Sequence, residues 1–344
     1  MNTRFVCAAL TALTFLTIVS EAAKADPLPH QIPKFAQLPL NGEPNGGPPT
    51  ILRPGGAPIF PVAPFAGHDE LSTAHLIFDP NGTTLYSGRY MADDFADNYD
   101  TPVVHVQWWG SYLSQPTVEP NSVQRFLISF ESDVAAGPSA TNPFPFSHPG
   151  QPLLNQVVTL GAAPAPGVFQ EKAIPTAAGS VDGQLYQYNA ELAIPFDQLK
   201  DTVYWLKIVA LDDHLVDDPA AIQWGWHDRD YGIFDPLASP VVLPGERPIG
   251  PAGFPDVWHF QDDAVTGTVD IRPNPEPGPP ILVRQPDDWV PQNYIPGIDI
   301  PTFFPTDLSK DLAFVLYTVP EPGSLVLLGM SGIALLLFKR RRVR

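Results

Sequence analysis

Proline sets the first limit on this chain. Forty-three of the 344 residues are proline, and each fixes φ and removes a backbone donor, which disfavours long helices and unbroken ladders alike. They cluster. Eleven of the 41 positions from Asp26 to Ala66 are proline, as are 9 of the 29 from Pro273 to Pro301. The first stretch, punctuated by Gly46-Gly47-Pro48-Pro49 and Pro54-Gly55-Gly56, reads as an extended linker or loosely packed arm in which ladders cannot form. The second reads as an excursion within one domain, because the strand-like run Leu312–Tyr317 follows it.

Between about Leu71 and Thr318 the pattern changes to short β-like runs separated by turn residues. Val103 to Trp109 and Val123 to Phe130 are rich in β-branched and aromatic residues, and the second alternates over Phe126, Ile128 and Phe130, as a half-buried strand requires. Further strands are expected at Ala74–Phe78, Leu153–Leu160, Leu185–Ile194, Val203–Leu211, Ala221–Trp226, Ala264–Val269 and Leu312–Tyr317. No amphipathic helix of 12 or more residues stands out in the body. Many short strands with Pro/Gly-rich connections predict an all-β fold, a β-sandwich or jelly roll.

Charge narrows the partners. The formal net charge is −18, from 37 acidic and 19 basic side chains, and the basic ones gather at the two ends, so residues 26–319 alone carry −23. Nucleic acid is excluded as a partner, because phosphate binding needs clustered Lys and Arg.

Those ends look like addresses. Arg4, the largely apolar run Val6 to Val19 and Ala23-Lys24-Ala25 before Asp26 read as a secretory signal peptide over residues 1–25. The single cysteine, Cys7, lies inside it, so the exported body has neither disulfides nor thiolate chemistry. At the far end Val319-Pro320-Glu321-Pro322-Gly323 precedes an almost wholly apolar run, Ser324 to Phe338, and then Lys339-Arg340-Arg341-Arg342. Fifteen helical residues span about 22 Å, short of the ~30 Å hydrocarbon core, so flanking residues are needed to complete the single transmembrane helix expected here, with its basic cluster on the cytoplasmic side. The chain thus divides into a leader (1–25), a proline-rich linker (26–67), a β-sandwich domain (68–318) and a C-terminal signal (319–344) comprising the apolar helix (324–338) and a basic tail (339–344).

This tail, Pro-Glu-Pro, apolar helix, arginine cluster, resembles the PEP-CTERM sorting signal of Gram-negative bacteria. The resemblance implies an exosortase-type processing peptidase as partner, a transient inner-membrane intermediate, and delivery to the envelope exterior or extracellular matrix. A second resemblance covers roughly residues 70–318. Met91-Ala92-Asp93-Asp94-Phe95, Trp108-Trp109-Gly110-Ser111, Ile128-Ser129-Phe130-Glu131-Ser132-Asp133 and Ser147-His148-Pro149-Gly150, with the later Trp258-His259-Phe260-Gln261-Asp262-Asp263-Ala264, resemble an uncharacterised β-rich domain of secreted bacterial proteins. It implies a fold and an exterior address, with no activity attached.

Two residue sets suggest chemistry. In a strand, Trp108 and Trp109 point to opposite faces, so one is expected in the core and the other outward, where with Tyr112 it would form an aromatic platform for an extracellular polysaccharide; core packing is the alternative. The acidic groups Asp93, Asp94 and Asp97, and Asp212, Asp213, Asp217 and Asp218, offer hard oxygen ligands of the kind a structural Ca2+ takes, although none forms an EF-hand loop; turn-forming and solubilising carboxylates are the alternative. No His-Glu-x-x-His, Gly-x-Ser-x-Gly or phosphate loop occurs, and His214, His227 and His259 lack metal-ligand spacing. The sequence therefore points first to a structural or adhesive protein without enzymatic activity, then to a carbohydrate-binding module, and last to a polysaccharide hydrolase.

Overall fold

The computed structural model describes residues 27–40, 50–52, 58–61, 67–113, 122–137, 144–174, 182–230, 237–239, 264–272, 281–284, 288–299, 302 and 310–320. Among the described residues there are seventeen strands and no helix: β1 (Ile32–Gln37), β2 (Thr50–Leu52), β3 (Pro58–Pro61), β4 (Asp69–Leu71), β5 (Thr73–Phe78), β6 (Thr84–Phe95), β7 (Val103–Tyr112), β8 (Arg125–Val134), β9 (His148–Leu160), β10 (Val168–Ala173), β11 (Tyr186–Phe196), β12 (Tyr204–Asp212), β13 (Trp224–His227), β14 (Val265–Arg272), β15 (Ile281–Arg284), β16 (Val290–Pro291) and β17 (Phe314–Thr318). The fold is all-β, as the sequence predicts. The signal peptide, Trp258 and the C-terminal helix lie outside the described residues.

Fifteen of the strands form one sheet in the order β1-β17-β7-β11-β10-β9-β8-β12-β5-β6-β14-β15, with β13 and β4 extending the β7 edge and β16 joining β14. Alternation explains why the central strands are stable. In β12, Leu206, Ile208 and Ala210 enter one apolar cluster while Trp205, Val209 and Leu211 enter a second on the opposite face. All nine of its residues are buried, so β12 is covered on both sides.

The sheet does not lie flat. Trp108 of β7 meets Phe126 of β8 edge-on at 5.2 Å between ring centroids, although β11, β10 and β9 stand between those strands in the sheet. Phe95 of β6 likewise reaches Phe314 of β17 at 6.3 Å. The sheet therefore curls over on itself and closes around an aromatic block in which Trp108 stacks on Tyr188 at 5.4 Å and Trp224 donates its indole N–H to the Tyr188 hydroxyl. Gly110 permits this closeness: a Cβ there would stand 2.2 Å from the Gly225 carbonyl oxygen and 2.5 Å from the Trp224 ring.

One expectation needs correction and one long strand goes unpredicted. The proline-rich stretch does form ladders. β1 pairs with β17 from Ile32↔Thr318 to Gln37↔Phe314, with an irregularity between Pro33 and Phe35, and β2 pairs with β3. The reason is local: residues 34–38 contain no proline, so they keep the donors a ladder needs, and Pro33 is taken up at the irregularity. The unpredicted strand is β6, which the sequence pattern did not reveal although it is twelve residues long. Gly88 and the Asp93-Asp94 pair interrupt its apolar pattern, while its pairing with β12, β14 and β5 decides its conformation.

Replacing Trp108 by Ala removes the ring on which the closure turns. Such a substitution is expected to destabilise the protein by about 3–5 kcal/mol, measured as a lowered urea midpoint with an unchanged m-value.

Candidate functional site

Two features concentrate chemistry, one at each end of β17: the junction where the strand leads into the C-terminal signal, and a buried cluster of charges where the chain approaches the strand's start. At the junction β17 is held on both sides, by β1 and by β7, where Phe314 pairs with Trp108 and Tyr317 with His105. His105 meets Tyr317 edge-on at 5.3 Å, and burial pushes its imidazole pKa down to about 4, so it is neutral at pH 7. The strand ends at Thr318, and Val319 and Pro320 follow. Pro320 is thus two residues from the sheet, while Glu321, Pro322, Lys339, Arg340, Arg341 and Arg342 lie outside the described residues.

The charge cluster is centred on Lys310. Its ammonium lies 2.7 Å from Glu70 Oε1, 3.2 Å from Asp228 Oδ1 and 3.7 Å from Asp299 Oδ2, with the Lys310, Asp228 and Asp299 side chains fully buried. Burial disfavours the ammonium, but the three carboxylates outweigh it and raise the Lys310 pKa above its usual value. Burial also raises the Asp228 pKa well above the carboxylate range, only partly opposed by Lys310.

His227 continues the cluster inward. Its Nδ1 lies 2.9 Å from Asp69 Oδ1 and its Nε2 2.7 Å from the Leu40 carbonyl oxygen. Both partners are acceptors, so both ring nitrogens donate and the ring is an imidazolium; accordingly its pKa is raised, the Asp69 charge overcoming desolvation. Ser111 donates to Asp69 Oδ2 at 2.7 Å. The serine is therefore attached to the carboxylate and not to the imidazole, which has no free nitrogen to take its proton, so this trio lacks the arrangement that activates a nucleophile. At the rim, His68 stands 3.6 Å from both Glu70 and Asp182. The neighbouring Glu70 carboxylate is the main cause that lifts the His68 pKa to about 9. Burial works against the Glu70 carboxylate, but His68 and Lys310 together hold its pKa down to about 2.

The acidic residues singled out in the sequence are separated by the strands that carry them. Asp93 and Asp94 sit within β6, not in a loop, and neighbouring strand residues face opposite ways, so the two do not converge on one ion. Asp93 accepts the Leu312 N–H at 2.7 Å. Asp97 accepts from Tyr99 N and from Gln198 and lies 3.5 Å from the buried Lys34 ammonium; burial lifts its pKa to about 6, with Lys34 opposing the rise. Asp212 engages His75 at 3.0 Å, His214 at 2.7 Å and the Ile222 N–H, whereas Asp213 turns to Tyr86 and Arg125. Asp217 and Asp218 are exposed, and Asp218 accepts the Ala220 N–H. Among the described residues no group of three or more His, Cys, Asp or Glu side chains is placed to hold a metal ion.

The aromatic platform also needs correction. Trp108 and Trp109 do face opposite ways, but Trp109 is only 5% exposed and Tyr112 6%. Trp109 is covered by Leu185, Ala313 and Val315, and Tyr112 donates its hydroxyl to Glu171, so neither offers a face to a sugar. Sequence reading missed Lys310, Glu70 and Asp299, because contacts such as Lys310 to Glu70 join residues 240 positions apart.

Replacing Lys310 by Met leaves its carboxylates buried without their cation, an expected loss of about 3–5 kcal/mol in urea unfolding near neutral pH. The raised pKa of His68 gives a second expectation. Its stabilising contribution is complete below pH 6.5, the ordinary imidazole value, and is lost as pH rises through about 9. Thermal melts between these limits should show wild type losing its margin over His68→Gln.

The profile of a domain of unknown function, DUF7901, matches residues 61–244, and the PEP-CTERM protein-sorting motif matches residues 318–342. No curated protein and no solved structure matches the chain. The sorting motif begins at Thr318, the last residue of β17, and implies export with exosortase-dependent processing at the membrane. Since the larger match spans more than half of the sequence, the chain belongs to the DUF7901 family.

Proposed function

We propose that this protein is a structural or adhesive component of the cell-envelope exterior or extracellular matrix, released there after exosortase cleaves its C-terminal signal. Its body is a curled sheet of the sandwich or jelly-roll type, and its role is mechanical, not catalytic. The observation that carries this reading is the position of the sorting motif directly after β17, a strand buried between two partners. Processing there would leave an intact folded body whose new end is flush with its sheet. The internal use of charge supports it as well: Lys310, His227 and Arg229 are each matched to buried carboxylates, which suits a rigid body without disulfides.

Fractionation of the native organism with and without its sorting peptidase tests the address. With the peptidase, mass spectrometry should find the protein outside the inner membrane and lacking Lys339 to Arg342. Without it, the protein should remain membrane-bound with its tail intact. Recovery of full-length protein from the cytosol would sink the proposal, and hydrolysis of matrix polymer by the purified protein would overturn its mechanical part.

A further inference from the structure

The segment from Ile32 to Leu40 is built into the body as though it were a separate part. As β1 it covers the outer edge of β17. Phe35 inserts its ring between Phe95 at 5.8 Å and Phe314 at 5.4 Å, and Lys34 brings its ammonium to the buried Asp97 carboxylate and the Thr101 carbonyl. The backbone continues the docking: Asp230 N–H donates to Leu38 O at 2.7 Å, Leu40 N–H to Asp228 O at 3.0 Å, and His227 Nε2 to Leu40 O. All of the segment's partners in these contacts, donors and acceptors alike, belong to later parts of the chain, and the segment lies outside the residues 61–244 that match the family.

The connection that follows is far longer than it needs to be. A Cβ built on Gly67 would lie 2.6 Å from the Leu40 carbonyl oxygen, so the two ends of the intervening stretch touch. Yet residues 41–66, 26 of them, run between those points. One or two residues would close the gap. Even with the β2–β3 pair kept together, the 14 residues on either side of it, 41–49 and 62–66, reach about 50 Å when extended, enough to carry Ile32–Leu40 to an adjacent copy without disturbing Gly67.

Resting on the structural role proposed above, we propose that the protein joins copies of itself by strand exchange: the 32–40 segment of one chain occupies, in a second chain, the β17 edge and Phe95/Phe314 pocket that it fills in its own. Every contact of the docked segment is preserved, so exchange has almost no enthalpic cost, and the balance is set by concentration. A tethered segment competes for its own site at an effective concentration of about a millimolar. Dilute protein is therefore closed on itself, and exchange becomes appreciable where copies are crowded, as on a surface or in a matrix.

The register supplies the test, since Ala36 pairs directly with Val315 and antiparallel partners lie within disulfide reach. The full chain is produced in its native host with Cys7→Ser throughout. One version carries Ala36→Cys, a second Val315→Cys and a third both. The double variant should close an intramolecular disulfide with oxidised glutathione. Mixed single variants should form a disulfide-linked pair joining Cys at 36 of one chain to Cys at 315 of another. Its yield should rise about tenfold for a tenfold rise in protein concentration while the tether still competes. Salt of about 0.15 M screens the repulsion between acidic bodies.

Closure of the double variant without any mixed pair, even in envelope fractions, would overturn the exchange while leaving the exterior structural role intact. Failure of the double variant to close would remove the pairing itself, and the proposal with it. A cytosolic location in the fractionation experiment would instead sink the role and leave any cross-link as a property of the fold alone.

Discussion

Burial on both faces of strands such as β12 and β7 is the constraint on which the rest depends. A strand such as β12 has no solvent side, so each polar side chain it carries must find its partner inside the protein or disfavour folding. Lys207 illustrates the solution. Its ammonium, fully buried, pairs with the equally buried Glu131 at 2.5 Å and lies 4.1 Å from the centre of the Tyr90 ring. Lys34 with Asp97, Arg229 with Asp311 and Lys310 with its three carboxylates repeat the pattern elsewhere. Such pairs add little net stability over apolar packing, but breaking one is severe. A register that set one of these charges against an apolar face would carry the same penalty.

The same constraint explains what could be read from the sequence. β8 and β12 were legible because Phe126, Ile128 and Phe130, or Leu206 and Ile208, alternate with residues of another kind. β6 was not, since Asp93 and Asp94 look like loop residues until their partners, Leu312 among them, arrive from far along the chain. The same holds for Trp109: alternation correctly separates it from Trp108, but cannot reveal that Leu185, Ala313 and Val315 cover it. Periodicity reports which side of a strand a residue takes. Whether that side is wet depends on segments distant in sequence.

The family match and the folded unit have different limits. Strands β4 to β13 lie inside residues 61–244, whereas β1, β14 and β17 lie outside, yet β14 pairs with β6 and β17 with β7. Phe314 and Leu316 belong to the principal apolar cluster, and Lys310 anchors the charges beside it. The matched segment is thus the larger part of one sheet whose outer strands come from both flanks.

The antiparallel match of Ile32 with Thr318 also has a mechanical consequence. The two strands leave the sheet at the same end of their shared ladder, so tension between them would fall on one hydrogen-bonded rung at a time. A ladder loaded in that way opens like a zipper, whereas one loaded along its length resists with all its rungs together. The seam between the first and last strands is thus the place where this otherwise tightly closed molecule would yield to a modest pull.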